Sequence, residues 1–424
     1  MITKEELKKI ILDQKESFNN NQEYITRDLS LSEYISTDPI IIISGVRRCG
    51  KSTLLKIIKN KILKNKDLNY LYCDFSDERL NSLTITDLQN IYEIFLEKYE
   101  SGKKYFFFDE IQYVVGWEKF VNRLYEKENA KIFITGSNGS LLSSEISTVL
   151  TGRNKVLELY PFSFKEYIAA RKETIDINNL STKENIELNK YFDDYFNIGG
   201  FPYVVNTNDT QILKEYYTNI IYKDIIVRKK IRQVKEIKEI ISFLSNNIGQ
   251  IISYNKIIAN SKIKSTSTIK NFIDYLNEAY ILFTLSKYDK SIRKQIQNPK
   301  KSYFIDIGMV RKISVNFSEN NGWYLENIVF LELLRKHKEI YYYKNNKNQE
   351  CDFIIKEGTQ IKEAIQVSYE INQKTETREM EGLISAIKTH NLAEGIIITK
   401  EQEEIRVIDG YKIKIVPIAK WLLS

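Results

Sequence analysis

Residues 39–55, Pro-Ile-Ile-Ile-Ile-Ser-Gly-Val-Arg-Arg-Cys-Gly-Lys-Ser-Thr-Leu-Leu, constrain the fold of this chain more than any other stretch. Four consecutive isoleucines, Ile40 to Ile43, are β-branched and leave neither side of the pleat polar. That predicts a strand buried on both faces, as in a parallel sheet covered by helices. The run passes at once into Gly45-x-x-x-x-Gly50-Lys51-Ser52 and then into a helical apolar pattern, Leu54, Leu55, Ile58 and Ile62. Glycine at 45 and 50 lets main-chain N–H groups approach anionic oxygens with no Cβ in the way, and the next helix turns its N-terminus to the same point. Ordinary strand-to-helix turns also carry glycine. The full eight-residue pattern between a buried strand and an apolar helix predicts a phosphate-binding loop built from Gly45, Val46, Arg47, Arg48, Cys49, Gly50, Lys51, Ser52 and Thr53. Lys51 is expected at the β- and γ-phosphates of ATP, and the Ser52 hydroxyl on Mg²⁺.

The 424 residues allow about three domains of ordinary size. With 42% hydrophobic and 28% charged residues the chain is neither disordered nor fibrous. No apolar run approaches the roughly 20 residues of a membrane span. The first residues mix acids with bases and lack an apolar export core, so the expected location is cytoplasmic. Cys49, Cys73 and Cys351 match no zinc or disulfide spacing and are read as reduced structural thiols. The two histidines, His337 and His390, leave little room for imidazole chemistry and are read as surface residues of helices. A net charge of +7 is modest for this length, so any nucleic-acid contact must come from a local cluster.

A helix over residues 2–17 leads into the first strand, and residues 69–75 and 86–99 read as the next strand and helix. Tyr105-Phe-Phe-Phe-Asp109-Glu110 follows. An apolar strand ending in two acids, one βα unit beyond a phosphate loop, has the form of a Walker B strand. Asp109 is expected in the Mg²⁺ shell, and Glu110 beside the attacking water as its base. The strand 131–135 ends in Thr135, Ser137 and Asn138, at the edge where a doubly wound sheet binds its ligand. Thr135, Ser137 or Asn138 is expected to hydrogen-bond the γ-phosphate or the lytic water, and Asn138 is carried as the catalytic candidate. Arg153, ahead of the strand 155–159, is a candidate for neutralising transition-state charge, as is the pair Arg47-Arg48.

Gly-Val-Arg-Arg-Cys-Gly-Lys-Ser, Phe-Phe-Asp-Glu-Ile-Gln112, Ile-Thr-Gly-Ser-Asn, Thr-Gly-Arg, Leu-Tyr-Pro161-Phe-Ser-Phe-Lys-Glu-Tyr and Gly199-Gly200-Phe-Pro202 occur in that order. Together they resemble a prokaryotic ATP-binding family in which an AAA-type P-loop ATPase domain is joined to a C-terminal domain of unknown function similar to restriction endonucleases. The resemblance implies an α/β fold with a parallel-sheet P-loop NTPase core over 1–165, a helical lid over 166–230 and a restriction-endonuclease-like α/β domain over 313–424; the residues between, 231–312, read from their own pattern as a winged helix. The Gly-Gly-Phe-Pro turn belongs to the lid. A polar side chain at the end of the 131–135 strand is the AAA sensor.

Residues 235–247, 254–260 and a helix opening at Ser265 are followed by β-type runs 280–285 and 303–307, which is the order of a winged helix. The wing 287–301 carries Lys287, Lys290, Arg293, Lys294, Lys300 and Lys301 against a single acid, Asp289, a patch able to follow DNA phosphates. On the third helix Lys270 and Asn271 favour DNA, while Asp274 and Glu278 oppose it. From Gly322 the pattern reads helix, three strands, helix, strand. The restriction-endonuclease resemblance assigns Glu326, Asp352 and Gln366 as a second metal set, but Ser368 stands where that fold has a lysine. Lys362 lies too far along the strand to replace it, and the expectation is a nuclease fold without cleavage. The reading is an ATPase associated with DNA. Its rival is a nucleotide-switched regulatory or scaffolding protein whose C-terminal domains bind protein. A homo-oligomer, with a neighbouring subunit supplying an arginine, is left open.

Overall fold

The computed structural model describes residues 2–20, 23–63, 69–81, 83–99, 101–128, 130–137, 139, 150, 152–173, 175–177, 179–314, 321–373 and 375–424. They form two compact units, Met1–Tyr160 with Glu278–Tyr280, and Pro161–Asn277 with Ile281–Ser424.

In the first unit, helix α1 (Lys4–Asn19) starts at a capping box of Thr3 and Glu6 and buries Leu7, Ile10, Ile11 and Phe18. Five parallel strands follow: β1 (Ile40–Ser44), β2 (Asn69–Asp74), β3 (Lys104–Asp109), β4 (Ala130–Gly136) and β5 (Asn154–Glu158), in the order β2-β3-β4-β1-β5. Helices α2 (Lys51–Leu63), α3 (Ile85–Leu96) and α4 (Trp117–Lys127) connect them. All five residues of β1 are buried, as an isoleucine run at the centre of a parallel sheet requires. Ile40 and Ile42 join the core made with Leu7, Leu88, Ile91, Phe106, Phe108 and Phe120. Period-two alternation turns Ile41 and Ile43 to the opposite face. The order matters for function because β4 lies between β1 and β3. The register pairs Ser44 with Gly136 and Phe108 with Ile134, which brings the C-terminal ends of the three strands level.

The second unit begins with helical chain. Helix α5 (Thr182–Ile198) opens on a Ser181–Glu184 capping box and ends at Gly199, whose φ is 77°. The Gly199-Gly200-Phe201-Pro202 turn has a packing cause. Gly200 N–H donates to the buried Asp306 carboxylate at 2.7 Å, Phe162 N–H donates to Gly200 C=O at 2.7 Å, and a Cβ on Gly200 would lie 2.2 Å from the Phe162 carbonyl oxygen. Asp306, which the sequence reading did not single out, also caps the helix Ile307–Ile313 through Met309 N–H.

Three helices, α6 (Val234–Ser245), α7 (Tyr254–Ala259) and α8 (Thr266–Glu278), precede a hairpin of β6 (Leu282–Ser286) and β7 (Lys300–Phe304). Between these two strands, within the expected wing 287–301, lies a short helix α9 (Ile292–Gln297). Helix α10 (Asn321–Lys336) then leads into a six-stranded mixed sheet in the order β12-β13-β11-β10-β9-β8, with helix α11 (Glu376–His390) packed on it. Its strands are β8 (Ile340–Lys344), β9 (Glu350–Glu357), β10 (Gln360–Val367), β11 (Glu394–Thr399), β12 (Glu404–Ile408) and β13 (Tyr411–Pro417). The last two form a hairpin that the sequence reading did not anticipate, turned by Asp409 and Gly410, both at positive φ. His390, at the end of α11, is half-buried rather than fully exposed. Its ring packs against Tyr288 and Tyr343, and its Nε2 is buried. All three cysteines are buried free thiols.

Candidate functional site

At the C-terminal edge of the first unit's sheet, the loop after β1 passes through Arg48 and Gly50, with φ of 71° and 102°, into the N-terminus of α2. The Lys51 ammonium folds back across this loop, donating to the carbonyls of Gly45 at 3.1 Å and Val46 at 3.2 Å. It lies 3.6 Å from a Glu110 carboxylate oxygen and is only 4% exposed. Asp109 ends β3 in full burial, which pushes its carboxyl up to about 6. The charges of Glu110 and Asp74 add to the shift, while the hydroxyls of Ser52 and Thr135 counter it. A cation beside Asp109 relieves the same strain. Tyr72 also donates to Asp109, at 3.2 Å.

Glu110 takes the left-handed conformation, φ 51°, ψ 42°, which in a non-glycine residue costs roughly 1–3 kcal/mol. The strain is held by a bond from Glu110 N–H to Thr135 Oγ1 at 3.0 Å, and Thr135 in turn donates to Asp109. Thr135, expected as a phosphate contact, is therefore a brace that locks the two acids together from β4. The turn leaves the Glu110 carboxylate against Lys51 and accepting from Gln112. Burial works against its charge, but Lys51, Gln112 and Arg47 outweigh it and hold the carboxyl below its ordinary range.

The Ser137 hydroxyl is buried with no partner in hydrogen-bond geometry among the described residues, although it is near enough to Glu110 to favour that carboxylate's charge. An orphaned hydroxyl, an ammonium bound only to two carbonyls and one more distant carboxylate, and a buried acid beside the Ser52 hydroxyl fit a nucleotide with its Mg²⁺. Asn138 lies outside the described residues. Three contributors escaped the sequence reading. Buried Arg27 donates to Cys49 C=O at 3.0 Å and Tyr160 C=O at 2.6 Å, which fixes the loop from behind. Tyr280 donates to Ser44 Oγ at 3.0 Å, and Gln112 orients Glu110.

Arg153 requires a correction. Its carbonyl accepts from Ile40 N–H at 2.8 Å, which puts it at the N-terminal edge of the sheet. The four residue steps of β1 separate that edge from the loop by roughly 13 Å. Its guanidinium is turned to α4, donating to Asn122 and pairing with Glu126, both at 2.8 Å. Arg153 does not serve the site of its own chain.

In the second unit the structure brings Glu326, Asp352 and Gln366 together, as the resemblance implied, but with an unexpected centre. Lys301 Nζ lies 3.0 Å from Glu326, 2.8 Å from Glu350 and 2.7 Å from Asp352. The group lines a cleft of about 710 Å³. Lys301 was expected in the basic wing and is instead 1% exposed. Period two puts Lys301 and Tyr303 on one face of β7, and an inward tyrosine two residues away was the signal available. The basic surface that remains consists of exposed Lys290, Arg293 and Lys294, with Lys287 and Lys300 partly covered. The Gln366 amide is already engaged, accepting from Asp352 N–H at 3.1 Å and donating to Glu379 at 2.5 Å. Ser368 donates to Glu370 C=O at 3.0 Å. Among the described residues no group of three or more His, Cys, Asp or Glu side chains is arranged to hold a metal ion.

Residues 37–168 match the model of an AAA domain, and residues 189–320 and 321–421 match two domains of unknown function, DUF8612 and DUF4143. The chain is 38% identical to "Uncharacterized protein MJ1544" of Methanocaldococcus jannaschii over 98% of its own length and 94% of the relative's. It is 32% identical to an uncharacterized protein of Haemophilus influenzae, over 93% and 96%. Among solved structures, the Aeropyrum pernix ORC1 protein in complex with DNA aligns at TM-score 0.31 and 12% identity, covering 67% of this chain and 89% of that one. AMPPCP-bound DnaA from Aquifex aeolicus aligns at TM-score 0.25 and 17% identity, over 59% and 85%. At such low TM-scores neither likeness bears on function. No described helix is long and apolar enough to cross a membrane.

Proposed function

We infer, from the premise that this chain belongs to the family joining an AAA domain to two domains of unknown function, that it binds ATP with Mg²⁺ and hydrolyses it. The observation that carries this reading is the grouping of Lys51, Glu110, Asp109 and Thr135 at one sheet edge, with β4 between the loop strand and the acidic strand. Lys51 gives its ammonium to the β- and γ-phosphates, for which two carbonyls are weak substitutes. Ser52 and Asp109 are the residues that would hold Mg²⁺, whose chemistry is to draw charge from the phosphate oxygens. Glu110, kept ionised by Lys51 and aimed by Gln112, takes the proton from the attacking water. Ser137 supplies a hydroxyl to the terminal phosphate. The test is phosphate release by wild type, Lys51→Ala and Glu110→Gln, with nucleotide affinity measured in parallel. Wild-type turnover in Glu110→Gln removes Glu110 from this role.

The three helices α6 to α8 with the β6–β7 hairpin support a winged helix. The helix, three strands, helix, strand order from α10 supports a restriction-endonuclease-like domain, and the helices from 166 support a lid. Exposed Lys290, Arg293 and Lys294 support a DNA contact by this module. One observation favours the regulatory reading: Ile292 and Ile296, on the same short helix as Arg293 and Lys294, are 73% and 65% exposed, a mixed surface that also suits a protein partner. ATPase rate with and without duplex DNA at two salt concentrations separates them. Stimulation that fades with salt supports DNA, and indifference supports the regulator.

A further inference from the structure

The Lys301 ammonium donates to two carboxylates, Glu326 from α10 and Asp352 from β9, and forms an ion pair with a third, Glu350 from β9. Two of the acids hold a further partner on their other oxygen. Asp352 Oδ2 accepts from Val367 N–H at 3.0 Å, and Glu350 Oε2 lies 3.5 Å from Lys344. Glu326 Oε2 lies against Gly249, where a Cβ would come within 2.6 Å of it, and Glu326 Oε1 takes a second bond from the Tyr303 hydroxyl at 2.6 Å. Gln366, the remaining candidate ligand, has its amide oxygen on the Asp352 main chain.

The lysine is delivered by a strand pinned on several sides. Asn327, fully buried on α10, accepts from Phe304 N–H at 2.7 Å and donates to Phe304 C=O at 2.8 Å. Gly249 N–H donates to Ser302 C=O at 3.0 Å. Lys287 bridges to Tyr342, and Tyr288 N–H donates to Tyr342 C=O at 2.8 Å, which fastens the hairpin to β8. A dication needs about six oxygens at 2.0–2.1 Å for Mg²⁺, and here it would have to enter beside a fixed positive charge.

We propose that Lys301 is a built-in cation: its ammonium stands among Glu326, Glu350 and Asp352, engaging two of the three residues, Glu326 and Asp352, that the restriction-endonuclease resemblance assigns to a divalent metal, and the cleft is thereby closed to Mg²⁺ and Mn²⁺. The lysine missing at Ser368 has therefore not moved to a new catalytic position beside a metal. The positive charge has taken the place of the metal itself, and it ties the β6–β7 hairpin to the C-terminal sheet. Removing the ammonium while keeping the carboxylates should create a metal site that wild type lacks.

The experiment is a Mn²⁺ titration of full-length, nucleotide-free protein, read by the loss of the free-ion electron paramagnetic resonance signal and by thermal melting. Wild type is expected to bind no Mn²⁺ in a manner sensitive to Asp352→Asn, and its melting temperature should not rise with the ion. Lys301→Met is expected to bind about one Mn²⁺ per chain at least tenfold more tightly than wild type and to melt several degrees higher when Mn²⁺ is added. Lys301→Met/Asp352→Asn should lose both effects. If Lys301→Met folds only in the presence of Mn²⁺, that also supports the proposal. Should it fail to fold even then, Lys301→Met/Glu326→Gln leaves one fewer uncompensated charge and is held to the same expectation. Folded lysine-free protein that gains no Mn²⁺, or wild type with a Mn²⁺ site that Asp352→Asn abolishes, overturns it.

Discussion

Lys51 and Lys301 are both buried and both face carboxylates, and they do opposite things. Lys51 bonds two loop carbonyls and stands 3.6 Å from one acid, while Lys301 is surrounded by three acids at 2.7–3.0 Å. Carbonyl partners are neutral and exchangeable, so the Lys51 charge stays available to a phosphate. Carboxylate partners neutralise Lys301 and in turn depend on it. Burial alone therefore does not distinguish a ligand-binding cation from a structural one. The number and charge of its partners do.

The largest effect should come from breaking the first site. Lys51→Ala is expected to reduce ATP hydrolysis by more than about 100-fold and to weaken nucleotide binding, while Glu110→Gln keeps binding within a few-fold and loses about 10²–10⁴ in turnover. Equal loss of binding in both variants would merge their roles. The second lysine should report through stability. Lys301→Met leaves buried carboxylates uncompensated and is expected to lower stability by about 3–5 kcal/mol in denaturant unfolding, whereas Lys51→Met should change it by less than about 1 kcal/mol. Similar losses for the two would erase the contrast.

A glycine pair sharpens it further. Gly249 and Gly152 have φ of 70° and 73°, but an added Cβ meets the Glu326 carboxylate at 2.6 Å in the first case and no heavy atom within 4 Å in the second. Gly249→Ala is expected to cost about 2–3 kcal/mol and Gly152→Ala about 1 kcal/mol, both read from the midpoint of chemical unfolding. The smallest effect belongs to the exposed bases. If Lys290, Arg293 and Lys294 follow DNA phosphates, each alanine variant should reduce the slope of log affinity against log salt by about 0.9, and all three changed to Glu should remove binding.

Legibility followed the range of the interactions. The isoleucine run, the loop and the Asp109-Glu110 strand end were readable because a few adjacent residues encode each. Thr135 was located correctly at a strand end. Its bracing role depends on β4 lying between β1 and β3, which no local pattern states. Tyr280 reaches Ser44 from 236 residues away, and Lys301 reaches Asp352 across 51, so neither contact leaves a mark in local spacing. Arg153 was misplaced for a reason available beforehand: a residue just before a strand of a parallel sheet lies at the N-terminal edge, away from the loop. The basic run 287–301 was read as one surface, although strand alternation at its end turns Lys301 inward.

The most direct measurement counts Mn²⁺ bound per chain by wild-type protein, with and without a non-hydrolysable ATP analogue. The expected result is about one ion with the analogue, lost in Asp109→Asn, and none without it. An ion bound without nucleotide and lost in Asp352→Asn would contradict the assignment of Lys301. Failure of the analogue to bring in any Mn²⁺ would contradict the assignment of the loop.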